Sequence, residues 1–275
     1  MPTTYKIALA QINSTADLDK NLQTALELVR EAKKKGASLI AFPESFLFLG
    51  VAEETYKNLA EPLDGPMVTR FSALAKELGI HILMGGFAET NPQEPQKLYN
   101  TSILIGSQGK LLGHYRKIHL FDTKIKEVML KESNTVSPGK EVVCLDHELG
   151  PFGLTICYDL RFPAMFQSLR RLGAKVIFVP AAFTFQTGRY HWVPLLQARA
   201  IETQCFIVAP AQAGWHNQKR HSFGHSLVID PWGQIIADGG PEATGLVMAQ
   251  IDLAQVDQVR AQMPVLEHQV AGIDR

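Results

Sequence analysis

The stretch Gly153–Pro163, G-L-T-I-C-Y-D-L-R-F-P, sets a cysteine where the chain must turn. Leu154, Thr155 and Ile156 have the character of a buried strand's last residues. Phe162, Met165, Phe166, Leu169 and Leu172 then recur close to helical spacing, with Pro163 acceptable in a first turn. Cys157 is therefore expected at a strand-to-helix junction above the carboxyl edge of a sheet. Backbone N–H groups and the positive end of a helix at such a place favour the thiolate, the form that attacks carbon. The competing use of a free cysteine is as a small buried hydrophobe. A thiol nucleophile also needs a proton acceptor and a donor for the oxyanion it creates. Glu44, in Phe42-Pro43-Glu44-Ser45, could take the proton and later activate water. Lys117, after the strand-like run Leu111–Arg116, could hold the oxyanion and favour the thiolate by its charge. Alone, Glu44 reads as a solvated turn carboxylate and Lys117 as a surface charge.

The elements that must bring them together alternate along the chain. Tyr5–Ile12 reads as a strand, and Leu18–Lys35 as a helix with Leu22, Ala25, Leu26 and Val29 on one face, closed by Gly36. Ser38–Phe42 is a second strand, so this is a βαβ unit with parallel strands, and Glu44 lies just past a carboxyl end. Pro66–Leu78 is a helix and Ile80–Ala88 a strand. Tyr99–Ile105 and Leu111–Arg116 form a hairpin around Ser107–Lys110, and 123–139 is less regular. Glu141–Asp146 and Phe152–Ile156 return to strand pattern. Beyond Cys157 come a strand at Lys175–Pro180, a helix at Tyr190–Thr203 and a strand at Cys205–Pro210. Further strands are expected at Ser222–Asp230, Gln234–Ala237 and Gly245–Ile251, then a helix at Asp252–Gln262 and a tail, 263–275, without strong pattern. Parallel strands bring their carboxyl ends to one face, which is how residues 44, 117 and 157 can converge. Two similar βαβ halves are conceivable, and the residue pattern does not decide it.

Composition bounds the function. At 275 residues, 46% hydrophobic and 20% charged, the chain can bury a large core, and one domain over 1–275 is expected because no Pro/Gly/Ser-rich linker divides it. Lys+Arg and Asp+Glu both total 27, which gives no support to nucleic acid or an anionic membrane as partner. No signal-like N-terminus or bilayer-length apolar run is read. Three cysteines without close pairing argue against a disulfide framework and suit the cytoplasm, and Cys144 and Cys205, in or beside apolar strands, read as inert.

The segments F-P-E at Phe42–Glu44, Y-R-K-I-H-L-F-D at Tyr115–Asp122 and I-C-Y-D-L-R-F-P around Cys157 together resemble the signature of the nitrilase superfamily, the carbon–nitrogen hydrolases. The likeness continues through K-E-S-N-T at Lys131–Thr135 and G-H-S-L-V-I-D-P-W-G at Gly224–Gly233. It implies an α/β fold, a four-layer α-β-β-α sandwich. It also implies a Glu44, Lys117, Cys157 triad with Glu132 orienting the lysine, and no metal or organic cofactor. A homodimer through outer helices is implied as well, the tail crossing to the partner. The backbone N–H of Tyr158 is the expected second oxyanion donor.

The substrate is expected to be a small amide bearing carboxylates. Arg161 stands about one helical turn beyond Cys157, where spacing alone leaves it equally a helix-surface arginine. In similar enzymes acting on ω-amides, an arginine at this motif position holds the α-keto acid end. Gly188–Cys205 and Ala211–Ser226 look more like the branch that hydrolyses deaminated glutathione than the ω-amidase branch. A glycine carboxylate would then need a cation, for which Arg189, Lys219 and Arg220 are candidates, with Phe183 and Thr184 completing the expected substrate-binding set. His216, His221 and His225 fit no standard metal-ligand spacing, and Trp215 reads as a loop anchor or pocket wall. A nitrile or N-carbamoyl hydrolase would share the triad, and two rivals of other kinds stand beside this reading. One is a cysteine–histidine hydrolase using His119, which would leave Glu44 and Lys117 without roles. The other is a dimeric binding protein, which would not need the three groups together.

Overall fold

The computed structural model describes residues 3–125 and 128–270. Strand β1 (Thr4–Gln11) leads to helix α1 (Leu18–Lys34), which opens on an Asp17 side chain accepting from the Lys20 N–H. The chain returns in β2 (Leu39–Ala41), passes α2 (Glu53–Asn58) and α3 (Pro66–Leu78), and adds β3 (His81–Thr90), β4 (Leu98–Ile105) and β5 (Leu111–Arg116). A small hairpin, β6 (Asp122–Ile125) and β7 (Val128–Lys131), precedes the second set. That set is β8 (Val143–Leu145), β9 (Phe152–Leu154), α4 (Pro163–Arg171), β10 (Val176–Phe178), α5 (Phe185–Thr203) and β11 (Phe206–Ala209). A second small hairpin, β12 (Ala213–Trp215) and β13 (His221–Phe223), follows, then β14 (Leu227–Ile229) and β15 (Ile235–Asp238). Finally β16 (Gly245–Asp252) crosses back to pair with β1, and α6 (Leu253–Gln262) follows with Asp252 as its N-cap.

The sheets run β16-β1-β2-β3-β4-β5 and β15-β14-β11-β10-β9-β8. In the first, β1, β2 and β3 are parallel and β4 and β5 antiparallel; in the second, β9, β10 and β11 are parallel and β14 and β15 antiparallel. Each sheet also carries one antiparallel strand beside its first parallel one, β16 on β1 and β8 on β9. The same topology is thus used twice, which answers the question of two βαβ halves.

Strand alternation sorts the layers. Ala8, Ala10, Ile40, Ile82 and Met84 point from the first sheet into a core with α1 and α3. Their neighbours Ile7, Leu9, Leu39, Ala41 and Leu83 point the other way, to the side of Phe152 and Leu154 of the second sheet, whose other face carries Ile177 and Gly153 against Leu169 of α4. Helices, sheet, sheet, helices is therefore the order, the expected α-β-β-α sandwich.

Several local expectations are corrected. Ser222–Asp230 is not one strand: Gly224 and His225 both have positive φ, and the break sends β13 to the small hairpin and β14 to the second sheet. The helix expected from Tyr190 begins at Phe185, because Thr184 takes the N-cap position, and it tolerates Pro194 within it. In 123–139 lie β6, β7 and a tight turn at Glu132–Asn134, held by an Asp122 carboxylate that accepts from the Ser133 N–H. Residues 271–275 of the tail lie outside the described residues.

At the edge of the sandwich where β3 begins, a buried polar chain ties the sheets together. His147 Nδ1 accepts from the Leu149 N–H (3.1 Å) and His81 Nδ1 from the Ser107 N–H (3.2 Å). Both protons then sit on Nε2, directed from His147 to His81 Nδ1 (3.3 Å) and from His81 to Glu148 (2.9 Å). A metal ion on His81, His147 and Glu148 would have to break this chain. Burial first, then the neighbouring His81, pushes His147 down to about 4, with Glu148 and Asp146 opposing; burial likewise lowers His81. The unfolded chain protonates these rings at its ordinary pKa and the folded chain resists. Stability from His147 is therefore full above about pH 6.5 and falls as pH drops toward about 4, by roughly 2 kcal/mol. Thermal melts between pH 7 and 4.5 should show the loss, and His147→Phe should flatten part of it; an unchanged slope would contradict the assignment.

Candidate active site

Cys157 follows β9 at a sharp turn. Its φ of 49° is left-handed, a strained choice for a residue with a Cβ. Its N–H donates to the Pro180 carbonyl (2.9 Å), and a five-residue 3₁₀ turn, Cys157–Arg161, starts at once. Asp159 fastens that turn. Its carboxylate, fully buried, accepts from Tyr115 Oη (2.7 Å), the Ile156 N–H (2.8 Å), the His119 N–H (3.1 Å) and His119 Nδ1 (2.7 Å). His119 also stacks flat on Phe162. It is thus engaged as a support for the turn, which removes the specific case for a cysteine–histidine pair.

Glu44 arrives past β2, only 6% exposed. A Cβ at Gly85 would collide with the Phe42 carbonyl, and one at Gly86 would stand 2.9 Å from Glu44 Cα, so the bare pair lets β3 lie against this turn. Gln212 Nε2 donates to the carbonyls of Glu44 and Ser45 (3.2 Å each) and so braces the turn from the second half of the chain. The Glu44 carboxylate accepts from Lys117 Nζ (2.9 Å), Asn100 Nδ2 (2.9 Å) and the Ala182 N–H (3.0 Å), and it lies close enough to the Cys157 thiol for each to shift the other's pKa. Ala182 stands past β10 of the opposite sheet. The carboxyl ends of both sets of parallel strands therefore meet at one point.

Lys117, 2% exposed, is no surface charge. Its Nζ lies between Glu44 and both oxygens of Glu132 (3.0 and 2.9 Å). Glu132 is aimed by the Phe121 N–H (2.7 Å). Glu44, Lys117, Cys157 and Glu132 are thus brought together.

Their protonation follows from one cation among two carboxylates. Burial alone would raise Glu44, but the Lys117 charge and the hydrogen bonds from Lys117, Cys157 and Ala182 outweigh it and hold the carboxyl below its usual range. Burial works against Lys117 too, yet the charges of Glu132 and Glu44 keep it well above an ordinary lysine. Cys157 is pushed well above an ordinary thiol, by burial first and then by Glu44, with Lys117 opposing. This runs against the lowered thiol pKa expected from a helix start: burial and the Glu44 charge keep the sulfur protonated. Glu44 is the carboxylate beside it that can take the proton as the anion forms.

The substrate-binding candidates separate. Arg161 ends the 3₁₀ turn, donates to His191 Nδ1 (3.3 Å) and stands 5.2 Å from the Phe183 ring and 5.8 Å from that of Tyr158. Tyr158 in turn packs on Phe121. The Tyr158 N–H lies in the first turn of a helical segment, where backbone donors have no partner within the helix. Thr184 is occupied at the start of α5, bonded to Thr187 Oγ1 (2.8 Å). Arg189 lies over Tyr190 on the exposed outer face of α5, 4.5 Å from its ring. Lys219 and Arg220 stand in the β12–β13 connection.

Asn100 was missed. Its Nδ2 bridges Glu44 and Glu132 (2.9 and 3.3 Å), its carbonyl accepts from the Lys117 N–H (2.8 Å), and its buried Oδ1 has no partner among the described residues. The available signal was Asn100-Thr101-Ser102, a polar run opening a strand that is otherwise apolar. Ala182 had no signal, because it acts through its backbone. Trp215 is exposed and stacks on His221, while His216 is buried between the Ser14 carbonyl and Ser222 Oγ, so these histidines serve packing and hydrogen bonds.

Comparison with known proteins agrees with this geometry. A family model described as carbon–nitrogen hydrolase matches residues 6–261. The chain is 44% identical over 266 residues to the nitrilase and fragile histidine triad fusion protein NitFhit of Drosophila melanogaster, covering 95% of this chain and 56% of that protein. It therefore spans about half the length of the fusion protein. It is 44% identical over 270 residues to deaminated glutathione amidase of Synechocystis, covering 97% of this chain and 98% of that one. The Bos taurus protein of the same name is 42% identical over 266 residues, covering 95% and 81%. Among solved structures, Caenorhabditis elegans NitFhit superposes with a TM-score of 0.91 at 39% identity, covering 97% of this chain and 65% of that chain. Saccharomyces cerevisiae Nit3, a member of the nitrilase superfamily, superposes at 0.85 and 32%, covering 95% of each. With its buried cysteine, glutamates and lysine set at the joined ends of two sheets, and with a family match over most of its length, the chain belongs to the carbon–nitrogen hydrolases.

Proposed function

We propose that the protein is an amidase that hydrolyses deaminated glutathione to 2-oxoglutarate and Cys-Gly through a thioester on Cys157. One observation carries the chemistry: a buried thiol beside Glu44, with an ammonium fixed between Glu44 and Glu132. Cys157 Sγ attacks the amide carbon as its proton passes to Glu44. Lys117 and the Tyr158 N–H receive the oxyanion. Collapse breaks the C–N bond, and the Glu44 proton leaves with the amine. Water then gives a proton to Glu44 and its hydroxyl to the acyl carbon, which frees the acid and restores the thiol. Arg161 takes the α-keto acid end. The choice of deaminated glutathione follows the curated relatives of that name, which match over most of their length.

Turnover of deaminated glutathione, 2-oxoglutaramate, a simple nitrile and an N-carbamoyl amino acid by the purified protein tests this. The expected result is the highest kcat/KM on deaminated glutathione; a clear preference for another of the four would transfer the assignment to that class. Asn100 acts as a positioning residue, holding both carboxylates at their working distance from Lys117. Asn100→Leu should lower kcat by about 10²-fold with little change in KM; a loss confined to KM would contradict that role.

We also place 1–275 as one hydrolase domain in the cytoplasm, where three free cysteines persist. A second copy covers α4 and α5, whose surroundings leave Leu172, Tyr190 and Ile201 more than half exposed. Sedimentation at micromolar concentration reads that assembly.

A further inference from the structure

Near Glu44 stand a phenol and a cation that acyl transfer does not use. Tyr56, on the short helix α2, hydrogen-bonds through its hydroxyl to Ser45 Oγ (3.3 Å), the residue next to Glu44, and packs edge-on against Phe48. Burial keeps this hydroxyl protonated, and it lies within electrostatic reach of Glu44, Glu132 and Arg220 together.

Arg220 is held on the Glu44 side of the molecule by how its hairpin is fastened. Asn217 Nδ2 donates to the Gly50 carbonyl (3.0 Å), while Asn217 Oδ1 accepts from the N–H groups of Lys219 (2.8 Å) and Arg220 (2.9 Å). The His216 N–H donates to the Arg220 carbonyl (2.9 Å), and the His216 ring ties the hairpin base to Ser14. A Cβ on Gly50 would stand 2.6 Å from Asn217 Nδ2, so that glycine admits the clamp. The hairpin tip is thus tied to the segment that follows Glu44. The Arg220 guanidinium is exposed and carries no hydrogen bond or ion pair among the described residues. The other cations are placed differently, with Arg161 against Phe183 and Tyr158 and Arg189 over Tyr190.

We propose that Arg220 and Tyr56 form a leaving-group subsite that binds the terminal carboxylate of a peptide-like amine. The inference rests on reading the site as an amidase and names what its second carboxylate meets. In an extended dipeptide amine the carboxylate stands about 7 Å from the scissile nitrogen, so it must be met by a group other than those around Cys157. A guanidinium fork matches that group in two hydrogen bonds, and a neutral phenol can donate a third. Two cations then divide the substrate, Arg161 on the acyl side and Arg220 on the amine side.

The test compares deaminated glutathione with its C-terminal glycinamide, which differs only in the distal charge. The wild-type protein should prefer the acid in kcat/KM by about 20-fold, mostly through KM, as a charge-assisted pair at a partly exposed site allows. Arg220→Gln should bring the two substrates to near equality, Arg220→Lys should restore part of the preference, and Tyr56→Phe should reduce it. Persistence of the full preference in Arg220→Gln overturns the subsite. A wild-type protein that hydrolyses both substrates equally also overturns it but leaves the amidase reading standing. If the wild type hydrolyses neither, the amidase reading fails and the subsite with it.

Discussion

Cys157→Ala should lower kcat by at least about 10⁴-fold while leaving the protein folded and able to bind substrate. No other thiol can substitute. Cys205 stands at the start of β11, bonded to the Ala174 carbonyl, at the edge opposite Cys157, and Cys144 lies in the outermost strand β8. Burial raises both above an ordinary thiol, Cys144 to about 11. Alanine keeps the left-handed turn and the Asp159 hydrogen bonds and removes only a sulfur, so stability should stay within about 1 kcal/mol. Thermal melts together with steady-state rates separate the outcomes. A folded variant with more than trace turnover would remove the nucleophile assignment.

Lys117→Met should damage both chemistry and fold. Its ammonium is the one cation between Glu44 and Glu132, which Asn100 Nδ2 alone would then bridge. Breaking a buried ionic cluster by removing one partner costs about 3–5 kcal/mol, and losing an oxyanion donor lowers kcat by about 10²–10³-fold. The pH dependence should change sign. In the wild type Glu44 is held low, so its stabilising effect is present above the ordinary carboxylate range and is lost as pH falls through its folded value. Without Lys117, burial dominates and Glu44 is raised, so the variant should gain stability as pH drops from 7 toward 5. Melts of both proteins across that range check this. A variant as stable as the wild type at pH 7 would show that the ionic cluster is not what the geometry describes.

How much of this could be read from sequence depended on how local the signal was. The βαβ unit through β2 was legible because α1 repeats its apolar face regularly and ends in lysines and Gly36. Glu44 and Cys157 were legible because each follows an apolar run directly. Other features depended on distant partners. Thr184 extends α5 back to Phe185, and paired left-handed residues at Gly224 and His225 split what looks like one strand. Asn100 and the Ala182 N–H act through geometry that joins the two sheets, which no window of sequence contains. The pKa of Cys157 runs against the sequence reading for a related reason. Its position at a helix start favours an anion, but burial first, and then the Glu44 charge, favour the thiol against the pull of Lys117.

Intact-protein mass after rapid acid quench with deaminated glutathione tests the central claim most directly. An acyl adduct equal to the 2-oxoglutaryl group should form within the first turnover, map to the peptide carrying Cys157 and be discharged by hydroxylamine. Product formation with no adduct at that sulfur, or an adduct on another side chain, would contradict the account.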